Sequence, residues 1–205
     1  MVSTDESPLQ ALERKSPDLP MQSGKVERHE YEYIRHGTQC LTVNFEVATG
    51  RVITPTLDFT RKEGDFVTHI TKTVATDPQA PWIFVVDNLN THMSESLVRW
   101  VADQCEPSVE LGKKGSRGIL KSMKTRKNFL SRQNHRIRFL FTPKHCSWLN
   151  QVEIWFSILV RRLLKRASFT SIEDLCNRVL AFIAYFNETM AKPFKWTYSG
   201  NVLQT

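Results

Sequence analysis

The chain has 205 residues, 40% hydrophobic and 24% charged, and carries a formal net charge of +7. That length allows one sizeable core in an ordinary globular composition. No apolar run is long enough to span a membrane, and the amino terminus lacks the basic and apolar regions of a signal peptide. The four cysteines, Cys40, Cys105, Cys146 and Cys176, form no CxxC pair or zinc-ligand spacing, which fits reduced thiols in a cytosolic protein.

Met1 to Asp5 read as the last residues of a strand. Residues 7–29, rich in Pro, Ser and charge, read as a loop. Thr38 to Val47 and Arg51 to Leu57 flank the turn Ala48-Thr49-Gly50 as an antiparallel hairpin. Gly64 to Val74 places Phe66, Ile70 and Val74 at helical spacing. Residues 82–86, Trp-Ile-Phe-Val-Val, form an apolar run of the kind buried on both sheet faces. Ser94 can cap a helix carrying Leu97, Val98 and Val101. A helix is expected near Ile119 to Leu130, a strand at Arg136 to Thr142, and a long helix from Ser147 or Asn150 to about Arg166. Thr170 with Glu173 has a capping-box pattern that opens a last helix with Ile172, Leu175, Val179, Phe182 and Phe186 on one side. This order of elements predicts an α/β sandwich with a mixed sheet.

Three carboxylates from separate elements suit a divalent-metal phosphoryl-transfer site. Asp87 ends the 82–86 strand, where open α/β sheets place ligands, although an Asp-Asn pair also favours turns and caps. On a helical wheel, Glu153 shares one face with Leu149, Val152, Phe156, Val160, Leu163 and Leu164. A carboxylate buried there needs a partner, either a metal, a buried Arg or Lys, or capped backbone. Asp5 is a third acid, with Glu6 as a competitor for its role. Asn88, Asn90 and His92 follow Asp87, and Asn150 precedes Glu153. Lys144 and His145 could touch phosphate, and Trp148 could stack on a base; a loop histidine and a core tryptophan are the plainer readings. From Leu111 to Leu140 there are ten Lys or Arg and no acid, a block suited to a polyanion or to a solvated loop.

Val2-Ser3-Thr4-Asp5-Glu6, Val85-Val86-Asp87-Asn88-Leu89-Asn90-Thr91-His92, the stretch Thr142 to Phe156 and the tail Ala181 to Tyr198 together resemble the catalytic domain of bacterial insertion-sequence transposases related to the mariner group. The paired patterns Asp-Asn-x-x-x-His and Pro-x-x-x-x-x-Leu-Asn-x-x-Glu carry the resemblance. It implies a DDE-superfamily enzyme with a ribonuclease H-like three-layer α/β sandwich, a central mixed sheet flanked by helices. It also implies a metal-binding triad of Asp5, Asp87 and Glu153 holding two Mg²⁺ or Mn²⁺ ions. The expected reaction is cleavage of double-stranded DNA at element ends and strand transfer to target DNA, by a homodimer on DNA in the bacterial cytoplasm, at the nucleoid and away from membranes.

Two departures from the family pattern stand out. Residues 1–205 read as one catalytic domain, without the helix-turn-helix region family members usually carry ahead of the first acid. The spacing from Asp87 to Glu153 is also longer than usual, largely through a basic insertion at 106–135. Lys113, Lys114, Arg117, Lys121, Lys124, Arg126 and Lys127 are expected to face phosphates there, in contacts that ignore sequence and weaken with salt. The alternative readings are an inactive transposase remnant that still binds DNA, and a different nuclease on the same fold.

Overall fold

The computed structural model describes residues 1–193 apart from Pro17, His29, Glu30, His145, Ser147 and Trp148. Five strands form one sheet in the order β3-β2-β1-β4-β5. β2 (Tyr33–Glu46) runs antiparallel to both its neighbours, β1 (Val2–Arg14) and β3 (Arg51–Asp58); β4 (Trp82–Val86) and β5 (Ile137–Phe141) join parallel beside β1. The expected mixed sheet is thus present, with β1 at its centre.

The loop expected at 7–29 is a correction. β1 continues to Arg14, with Leu9 and Ala11 buried at alternate positions. The interruption suggested by Pro8 does not occur because, beyond Ser3, the strand pairs among the described residues only with β2. That is an edge position, where a proline costs no ladder bond to a second neighbour.

Helices cover both faces. α1 (Glu63–Val74), α2 (Glu95–Cys105) and α3 (Met123–Leu130) pack on one, around Val2, Phe66, Phe84, Leu97, Phe129 and Phe139. α4 (Val152–Leu159) and α5 (Ile172–Thr189) pack on the other, around Leu9, Val43, Trp155, Leu175 and Phe186. This is the expected three-layer arrangement. Ser94 caps α2 as anticipated, its Oγ accepting from the Leu97 N–H at 3.2 Å. At α5 the cap is one residue later than expected: Ser171 Oγ accepts from Asp174 N–H, and Asp174 reaches back to the Thr170 N–H. The basic block is built into the first core, since Leu120, Phe129 and Leu130 are all buried.

The helix predicted to run to about Arg166 ends its α-helical part at Leu159 and continues as a π-helical turn, Val160–Leu164. Its buried stripe is Val152, Trp155 and Leu159 rather than the face centred on Phe156 and Val160. Trp155 is fully buried and lies edge-on to Phe186. Trp155→Ala is expected to cost about 3–5 kcal/mol of stability. Trp155→Phe should cost far less, because the indole N–H has no partner among the described residues. Chemical denaturation of the two variants checks this; similar midpoints for parent and Trp155→Ala would contradict the packing.

Candidate active site

The parallel register pairs Val2 with Phe84 and Ser3 with Val85. Two residues further along each strand come Asp5 and Asp87. The central strand and its neighbour therefore carry their acids to the same level of the sheet. Asp5 and Asp87 each present a carboxylate oxygen, and His92 a ring nitrogen, all within 4.8 Å of one another.

The period-two alternation of β1 separates Asp5 from Glu6. Asp5 turns toward the α4 face, where Asn150 Nδ2 donates to its Oδ2 at 3.2 Å. Glu6 turns toward the α1 face and meets His92 Nε2 at 3.2 Å, with its side chain only 3% exposed. His92 is buried against Phe66, and its Nδ1 lies 2.8 Å from Asp87 Oδ1. That second contact lacks hydrogen-bond alignment and acts as an ion pair. Burial works against the imidazolium, but the Asp87 and Glu6 carboxylates outweigh it and push the His92 pKa up to about 9. His92 is therefore a fixed cation at neutral pH, with both nitrogens engaged by acids. Glu6 is the functional neighbour that residue spacing did not single out; only the alternation of β1 placed it opposite Asp5.

Asp5 and Asp87 differ in charge state. Burial raises the Asp5 carboxyl to about 7, and the Asp87 charge adds to the effect. Burial also acts on Asp87, but His92 and the Leu89 N–H, which donates to its Oδ1 at 2.8 Å, hold its pKa below the usual carboxylate value. Two acids at one site, one charged and one on the edge of protonation, form a pair that a cation would bring to full ionisation.

Asn150 fastens the third element. Fully buried, it donates to the Thr4 carbonyl as well as to Asp5, and its Oδ1 accepts from Ser3 Oγ. Ser3 Oγ accepts in turn from the Val152 N–H. The first turn of α4 is thereby pinned beside Asp5. Glu153 lies on that turn, three residues after Asn150, but is exposed and outside the Asp5–Asp87–His92 group. The expectation of a buried, partnered Glu153 is corrected: α4 turns Trp155 and Leu159 inward, which swings position 153 out to solvent.

Asn88 closes the other side, donating to the Thr142 carbonyl at 2.6 Å and accepting from Lys127 Nζ at 2.8 Å. Asn90 is exposed on the 3-10 turn Asn90–Met93. Asp87, Asn88, Leu89, Thr142, Pro143, Lys144 and Cys146 line one cleft. Lys144 is exposed in it; His145 and Trp148 lie outside the described residues. Lys113, Lys114, Arg117, Lys121 and Lys124 are exposed.

One of the expected phosphate contacts, Arg126, is corrected. Arg126 is buried, its Nη1 donating to the Met93 carbonyl at 2.8 Å; it ties α3 to the turn that carries His92. Lys127 is half-buried, held by Asn88 and lying 4.9 Å from the centre of the Phe141 ring.

The DDE superfamily endonuclease model matches residues 1–176. The chain belongs to the DDE superfamily endonucleases. No curated protein sequence matches it. Among solved structures, it resembles the Mos1 mariner paired-end complex with Mn, with a TM-score of 0.55 and 14% identity over 90% of this chain and 48% of that one. A Mos1 transposase paired-end complex with the left transposon end gives 0.54 and 14%, over 89% and 47%. The chain thus spans about half the length of these structures and shares their ribonuclease H-like fold. Asp5, Asp87 and Glu153 sit in this DDE-family domain on the central strand, at the end of its neighbour and on the first turn of α4. No helix among the described residues is long and apolar enough to cross a membrane.

Proposed function

We propose that this domain is the catalytic domain of a transposase, cutting double-stranded DNA at element ends and joining the freed strand to target DNA. One observation carries the reading: Asp5 and Asp87 stand at one level of the sheet with carboxylate oxygens within 4.8 Å. The donor set fits a hard divalent cation, which takes carboxylate oxygens and would offset the burial that, with the Asp87 charge, keeps Asp5 half-protonated. Asp5 and Asp87 would hold Mg²⁺ or Mn²⁺, two ions in the full arrangement, with Glu153 completing the set from α4. When bound, such ions supply Lewis-acid activation of the attacking oxygen and stabilisation of the leaving one.

The chain's own residues position and bind. Asn150 orients the Asp5 carboxylate. His92 fixes Asp87 and neutralises part of the acid cluster that would otherwise repel a phosphodiester. Lys144, in the Asp87 cleft, and the exposed Lys113, Lys114, Arg117, Lys121 and Lys124 hold DNA through its phosphates. His145 and Trp148 complete the DNA contacts, Asn90 shapes the loop after Asp87, and the active form is a homodimer on DNA. It acts in the cytoplasm, on the nucleoid.

The test is incubation of the purified chain with supercoiled plasmid and Mg²⁺ or Mn²⁺, read as nicked or joined products. Cation-dependent nicking supports the reading; none with either ion contradicts it. Glu153→Gln separates function from fold. An exposed substitution should change stability by no more than about 0.5 kcal/mol, while nicking should fall at least tenfold. Unchanged nicking would remove Glu153 from the site.

A further inference from the structure

We propose that the far end of the α4 helix is a second DNA-backbone site, formed by Arg161, Arg162 and Arg166. It rests on the transposase reading and adds a contact surface to it. Val160 to Ala167 reads Val-Arg-Arg-Leu-Leu-Lys-Arg-Ala, with four exposed cations in six positions. In an ordinary α-helix, Arg161 and Lys165, and Arg162 and Arg166, would be like-charge neighbours that weaken the helix. Here the segment adopts the wider π-helical turn at Val160–Leu164, a geometry often found at functional sites.

That turn places Arg161, Arg162 and Arg166 around one concavity floored by Ile158 and Met190. Arg161 is held in place, its guanidinium donating to the Ser157 carbonyl at 3.1 Å. Among the described residues, no carboxylate pairs with Arg161, Arg162, Lys165 or Arg166. Three guanidinium groups around one hollow without a counter-ion form a ready phosphate receptor.

The occupant is set by reach. Arg161 follows Glu153 by eight residues on one continuous helical segment, about 12 Å at 1.5 Å per residue. Each strand of a duplex carries a phosphate about every 3.4 Å of axis. A duplex whose scissile phosphate lay near Glu153 would offer this cluster phosphates about four or more nucleotides away. The basic block at 113–124 belongs to the opposite, α1–α3 layer, so the two surfaces would grip one DNA from different sides.

The test uses the full chain and a 60-bp duplex of arbitrary sequence, with binding measured by fluorescence anisotropy over a salt series. Replacing Arg161, Arg162 and Arg166 together by alanine should reduce the slope of log K against log salt by about 2 to 3. In the native chain, the duplex should also protect these three arginines from phenylglyoxal, an arm that needs no variant to fold. An unchanged slope with unprotected arginines overturns the second site while leaving plasmid nicking, and so the transposase reading, intact. A reduced slope in a chain that never nicks DNA sustains the DNA site and sinks the transposase reading instead.

Discussion

Replacing Asp87 by asparagine is expected to lower cation-dependent plasmid nicking about a thousandfold or more. Asparagine keeps the size of the side chain and an oxygen to accept from the Leu89 N–H, so the loop after β4 should hold. What it removes is the charge shared between the cation site and His92. Loss of a metal-holding carboxylate costs several kcal/mol of transition-state stabilisation, and each 1.36 kcal/mol is tenfold in rate. Single-turnover nicking of parent and variant, beside their circular dichroism, measures this. Equal rates would show that Asp87 serves as a turn residue, the other role its Asp-Asn sequence allows.

Binding of Mg²⁺ is expected to release a proton and to strengthen by about tenfold per pH unit between pH 5 and 7, then to level off. The reason is Asp5, whose pKa of about 7 leaves it largely protonated below neutrality, while a cation needs it charged. The same group shapes stability in the metal-free chain. Its folded pKa is above the ordinary carboxyl value of 3.8, so the folded chain holds that proton more tightly than the unfolded one. The stability it contributes is whole below about pH 3.8 and is lost as pH rises through about 7. His92 acts in the same sense at higher pH: its contribution is whole below 6.5 and is lost as pH rises through about 9. The rise in melting temperature on adding Mg²⁺ should therefore be larger at pH 8 than at pH 5.5. A cation-induced rise of equal size at both values would show that Asp5 takes no part.

The sheet and its acids were legible because they depend on short-range rules. An apolar five-residue run made β4, and the residue after it had to stand at the strand end. The hairpin and the Ser94 cap follow from turn and capping chemistry that acts over a few residues. β1 was hidden because Pro8 and the charges around it read as a loop, while the burial of Leu9 and Ala11 depends on α4 and α5, far away in sequence. Glu153 shows the limit of the helical wheel. Ile154, Trp155, Phe156, Ile158, Leu159 and Val160 leave almost no polar face, so periodicity alone could not orient the helix. The sheet surface chose Trp155 and Leu159. Arg126 and Lys127 shared a basic block with exposed neighbours, and only tertiary contacts with Met93 and Asn88 separate them. The pairing of His92 with Glu6 spans 86 positions and left no local mark.

The proposed activity turns on Asp5 and Asp87 holding a divalent cation together. Electron paramagnetic resonance of free Mn²⁺, titrated at pH 7.5 with the parent, Asp5→Asn and Asp87→Asn, measures this without any DNA. Saturable loss of the free-ion signal with the parent, and none with either variant, is the predicted result. Equal loss of signal with all three proteins would contradict it.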